Sequence, residues 1–190
     1  MKKLSPYEQG TIFWTGMVRK INDYMSMALL VNRIPKKEIS NSMRSAALYE
    51  VLCFAAYCAY VEGSRIFIKL IKGFDRKEWA QFTQAIDEGL RNHIAALPDQ
   101  STDSIVSLPD AAKLSVIQYM QSFTKGDAKA NIPFILTIDK STLKQTFDDY
   151  KENLEDSVSV LMPDGEYPAD LMSWCPDARF IYNCAVECAG

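Results

Sequence analysis

Apolar residues recur at steps of three and four along most of this chain, the spacing of one face of an α-helix. Over 6–32, Phe13, Met17, Ile21, Tyr24 and Ala28 form such a stripe, and Trp14, Val18, Met25 and Leu29 widen it. Ser5 is an expected N-cap, with Pro6 at the first helical position. Gly10 and Gly16 each weaken that helix by up to about 1 kcal/mol relative to alanine, so the pattern allows a break or kink in its first half.

Pro35 ends the first helix, and RIPKKEISNS forms the link that follows. Ser40 or Asn41 caps a second helix, which the spacing carries to about 72, with Gly73 as its stop. Its middle, AALYEVLCFAAYCAYV over 46–61, is apolar on every side, as expected of a helix enclosed by others. Asp75 and Glu78 have the spacing of a capping box for a third helix over 76–97, striped by Trp79, Phe82, Ile86, Leu90, His93 and Leu97.

PDQSTDSIVS reads as a loop, a fourth helix follows over 109–123, and TKGDAKAN is a second loop. IPFILTI, over 132–138, suits an extended packing segment or one short edge strand. Ser141 caps a fifth helix carrying Phe147, Tyr150, Leu154, Val158 and Leu161. MPDGEYPADLMSWCP reads as a proline-punctuated loop, and Asp177 caps a last helix to about 188. The expected fold is therefore all-α: a single-domain bundle of about six helices over 1–190, with the apolar helix near 42–72 at its centre. At most one short strand, near 132–138, accompanies it. The alternative division is a three-helix core over 1–97 with a packed acidic part over 109–190.

Composition changes this picture little. Of 190 residues, 48% are hydrophobic and 24% charged, ordinary globular values that exclude disorder. The apolar run over 46–61 falls short of the roughly 20 residues a bilayer needs and contains Glu50, so no membrane span is expected. Ser5 to Gly10 interrupt any signal-peptide core after the two N-terminal lysines. Five cysteines, an odd number with no CxxC pair, suit free thiols in a reducing compartment, and the cytoplasm is the expected location. Charge is uneven: residues 1–76 hold 12 basic and 6 acidic side chains, +6, against 9 and 18 over 77–190, −9.

Candidate chemistry is sparse. There is one histidine, His93, on an apolar stripe, where a hydrogen-bonded packing role outweighs a general-base role. Cys184 and Cys188 share a helix face with Cys175 just upstream, but the usual close ligand pair of a zinc site is missing, so core packing is the expectation. No metal and no cofactor are expected. Walker A, GxGxxG, GxSxG, HExxH and EF-hand patterns are absent. Arg33, Lys36, Lys37 and Arg44 make a basic link that Arg19 can extend, but a pI near 5.3 disfavours nucleic acid.

Two acidic features remain. Asp148, Asp149, Glu152, Glu155 and Asp156 cluster on the fifth helix, as a solvated face or a partner-facing one. Glu50 interrupts the central apolar helix, and Glu62 and Arg65 sit three apart near its end; Tyr49, Tyr57 and Tyr60 add hydroxyls. A buried carboxylate needs a cation or donors, so Glu50 marks either a structural ion pair or an interior polar pocket.

The leading expectation is a non-catalytic helical protein that acts through protein–protein binding, as inhibitors, antitoxins or immunity proteins do, or through self-association. The alternative is a bundle that binds a small molecule, and is an enzyme in one version, in a pocket lined by Glu50, Glu62, Arg65 and His93. A third reading is a nucleic-acid accessory factor using the basic link at 33–44.

Overall fold

A computed structural model describes residues 4–34, 39–70, 74–98, 108–123, 140–160 and 171–190. The expected strand near 132–138 lies outside them. The fold is all-α: six longer helices and one single turn, with no strand among the described residues. They are α1 (Pro6–Val31), α2 (Asn41–Ser64), α3 (Arg76–Ala95), α4 (Leu108–Phe123), α5 (Lys140–Val160), α6 (Leu171–Trp174) and α7 (Ala178–Ala189).

Local chemistry sets the starts of these helices. Ser5 and Glu8 form a reciprocal capping box on α1, with Pro6 in its first turn. Ser40 accepts the Met43 N–H at 3.2 Å. Asp75 accepts the N–H groups of Lys77 and Glu78, both at 2.8 Å, while Glu78 reaches back to the Asp75 N–H. Asp177 accepts the Phe180 N–H at 2.7 Å. α1 ends as its stripe does, at Asn32, and Arg33 follows with φ of 53°, a left-handed residue just past the cap.

α2 is the central helix. Every residue from Glu50 to Ser64 is buried, and α1, α3, α4, α5 and α7 all pack against it. Phe54 shows how the core closes: its ring lies 4.4 Å from Tyr150 of α5 and 5.4 Å from Tyr119 of α4. Burying such a side chain contributes roughly 1.5–3 kcal/mol.

Several details differ from the sequence pattern; α5 opens at Lys140, so Ser141 lies inside its first turn and is not its N-cap. α2 passes at Arg65 into a π-helical turn, Arg65–Leu70, instead of continuing as α-helix to 72. Leu171–Trp174 forms one helical turn where the prolines suggested only loop; Asn32 donates to its Ser173 carbonyl at 3.3 Å, and Trp174 is buried. Finally, α1 is unbroken through Gly10. A Cβ there would lie 2.5 Å from the Phe82 carbonyl oxygen of α3, so glycine permits the close approach of α1 to α3. Helix propensity gives way here to packing.

Candidate functional site

The second helix carries two buried carboxylates, Glu50 and Glu62, at 4% and 0% exposure. Twelve residues of helix put them roughly 18 Å apart along the axis, so they belong to separate sites. At Glu50, Tyr119 of α4 donates its hydroxyl to one carboxylate oxygen, and Ser157 of α5 donates to the other at 3.4 Å. Asn153 Nδ2 in turn donates to the Tyr119 hydroxyl oxygen at 3.1 Å. The compensation is therefore a chain of donors, Asn153 to Tyr119 to Glu50, with no lysine or arginine of the described residues paired to it.

That arrangement governs the protons. Burial raises the pKa of Glu50 above its ordinary 4.5, and the Tyr119 and Ser157 hydrogen bonds offset this only in part. Burial, followed by the Glu50 carboxylate itself, raises the Tyr119 phenol far above its usual value. Both groups hold their protons more tightly than they would in water.

Above this chain lies a notch of about 210 Å³ between α4 and α5, lined by Gln118, Tyr119, Asp149, Glu152 and Asn153. Tyr119 and Asn153 thus line the notch and connect it to Glu50. Of the acidic residues of α5, Asp149 and Glu152 line it; Asp148, Glu152, Glu155 and Asp156 are exposed, and Asp149 is half-buried. Lys151 lies 3.8 Å from Glu155. Among the described residues no three acidic, histidine or cysteine side chains are grouped to hold a metal ion.

The four residues read as one pocket are distributed differently. Glu62 and Arg65 do come together, at 2.7 Å, where α2 enters the π-helical turn, and Tyr182 of α7 donates to the other Glu62 oxygen. His93 lies on the seam of α1 and α3. Its Nδ1 is 2.7 Å from the Gly89 carbonyl and 3.3 Å from the Trp14 indole N–H, so either tautomer satisfies only one of the two. Glu50 faces α4 and α5.

The thiols fit packing. All five cysteines are free, and four are buried. Burial pushes Cys175 up to about 12 and Cys184 up to about 11, so both stay protonated and weakly nucleophilic at neutral pH. Of the basic link, Lys36 and Lys37 lie outside the described residues. Arg33 is exposed and Arg44 half-buried, with its Nε enclosed. Arg19 lies within α1, whereas Arg33 lies past its C-terminal cap.

Sequence reasoning missed Tyr119, Asn153, Ser157 and Tyr182. Tyr119 continues the buried Ala112 and Val116 spacing of α4, so its position was readable, but the partner of its hydroxyl was not. A second surface feature is apolar: Met27, Leu30 and Val31 at the end of α1 are 58%, 74% and 70% exposed, neighbours on one helix face. No helix among the described residues is long and apolar enough to cross a membrane. Comparison with protein families, with curated proteins and with solved structures finds no match to this chain, so any functional reading rests on this geometry.

Proposed function

We propose that this protein acts without catalysis, by binding another protein, and that the notch between α4 and α5 receives a basic side chain of that partner. The observation that carries the reading is the notch itself. Its volume of about 210 Å³ is below the roughly 300–1,000 Å³ of small-molecule sites, yet it gathers two carboxylates and two side-chain amides. A lysine or arginine head fills such a space and supplies the donors that Asp149 and Glu152 accept. The other acidic residues of α5 favour encounter with a positively charged surface.

The test is native mass spectrometry of the tagged full chain expressed in its own cell, wild type against Asp149→Asn/Glu152→Gln. Glu152 is exposed and Asp149 half-buried, so folding is expected to be retained, which thermal unfolding checks. The expected result is a basic polypeptide held by wild type at low salt and lost in the double variant. A complex that survives the double substitution overturns the notch as its seat. A homodimer abolished by Leu30→Glu but indifferent to the double substitution favours self-association through Met27, Leu30 and Val31 instead.

A further inference from the structure

A second cavity lies on the opposite side of α5, against the start of α7, and has the reverse character. It measures about 410 Å³. Phe147, Tyr150 and Leu154 of α5 form one wall; Cys175, Pro176 and Ala178 form the other. Tyr150, Leu154, Cys175 and Ala178 are buried, so the walls belong to the core. The shape is fixed in advance, because Tyr150 donates its hydroxyl to the Pro176 carbonyl at 2.9 Å and ties the connection before α7 onto α5.

Charge sits only at the rim. Lys151 and Arg179 line it with a single carboxylate, Asp177, so two cations face one anion. Asp177 is engaged as the N-cap of α7, accepting the Phe180 N–H at 2.7 Å. Among the described residues Arg179 makes no ion pair and Lys151 has Glu155 alone, at 3.8 Å. Apolar walls with a net positive rim define an amphiphile with a negative head.

We propose that this cavity binds a small apolar carboxylate, its hydrocarbon body against Phe147, Leu154 and Cys175 and its carboxylate between Lys151 and Arg179. At about 30 Å³ per small group, the space holds on the order of a dozen non-hydrogen atoms, the size of a medium-length acyl chain with its head. The guanidinium of Arg179 suits a carboxylate as a two-pronged donor. A primary amine of the same length meets two like charges at the rim. An alcohol fills the walls but leaves the cations unpaired. The site is separate from the α4–α5 notch, and neither depends on the other.

The test is calorimetric titration of the full chain with decanoate, decanol and decylamine as probes, the two ionic ones kept below their micelle-forming concentrations and decanol below its solubility limit. Decanoate is expected to bind one to one and about tenfold tighter than decylamine, the factor a charge-assisted hydrogen bond supplies. Lys151→Gln/Arg179→Gln changes two exposed side chains and is expected to erase that preference while decanol binding stays unchanged. No binding of decanoate at millimolar concentration overturns the proposal. So does decylamine binding as tightly as decanoate, or a preference that survives the double substitution. An acidic peptide that displaces decanoate at lower concentration than decanoate itself requires also overturns it, in favour of a protein ligand.

Discussion

At the end of α2, Glu62 receives the Tyr182 hydroxyl and, at 2.7 Å, the Arg65 guanidinium; twelve residues earlier Glu50 receives the hydroxyls of Tyr119 and Ser157 and no cation among the described residues. Both carboxylates are buried on the same helix, and both are met by a tyrosine from a neighbouring helix. The difference is one positive charge. An ion pair compensates a desolvated carboxylate, whereas hydroxyls alone leave part of the penalty in place, and the pKa of Glu50 rises accordingly. The under-compensated carboxylate is also the one joined through Tyr119 to an acidic notch. Glu62 reads as a strut, and Glu50 as a buried acid set behind the notch, one hydrogen bond away through Tyr119.

The largest expected effect is on the strut. Glu62→Ala leaves the Tyr182 hydroxyl and Arg65 without their acceptor and opens a hole in a fully buried position. The cost is about 3 kcal/mol, the lower end for a broken buried pair, because Arg65 regains water through its exposed half. Urea unfolding measures it, and a loss below about 1 kcal/mol would remove the structural role of Glu62. Next in size is a paired test. Tyr119→Phe is expected to cost about 2 kcal/mol, since Glu50 keeps only Ser157 and Asn153 loses its acceptor. Tyr182→Phe is expected to cost about 1 kcal/mol, because Glu62 keeps the guanidinium. Equal costs would break the contrast between the two carboxylates.

The same contrast shows how far the sequence could be read. The six helices, the central place of α2 and the caps at Ser5, Ser40, Asp75 and Asp177 follow from local spacing and short-range hydrogen bonds, which sequence displays directly. Glu62 and Arg65 were legible as a pair because both lie on one helix. The demand for compensation at Glu50 was legible too, but the identity of the compensator was not. Tyr119 and Ser157 are 69 and 107 residues away in sequence, and only the tertiary arrangement of α4 and α5 against α2 brings them in. Gly10 failed for the same reason, since the Phe82 carbonyl that demands a missing side chain belongs to another helix. Both cavities border α5, yet its stripe gave no sign that one would be acidic and the other apolar.

The smallest effect, and the most diagnostic, is that of Glu50→Gln. Glutamine keeps an oxygen for the Tyr119 hydroxyl and cannot ionise. In wild type the folded pKa of Glu50 lies above the ordinary 4.5 that the unfolded chain keeps. Below 4.5 both states are protonated, and the burial of a neutral carboxyl costs little. Between 4.5 and the raised value the folded chain holds a proton that the unfolded chain has released, so stability falls as pH rises through that window. Above it the full penalty of a buried charge remains. Glu50→Gln lacks this slope. It is expected to match wild type at about pH 4 and to exceed it by on the order of 1 kcal/mol at about pH 8. Urea unfolding of both proteins across this range reads the difference directly, and other carboxylates cancel because they are common to both. A difference that stays flat with pH would mean that Glu50 is fully compensated when ionised, which would make it a second strut and remove the link between its proton and the notch above it.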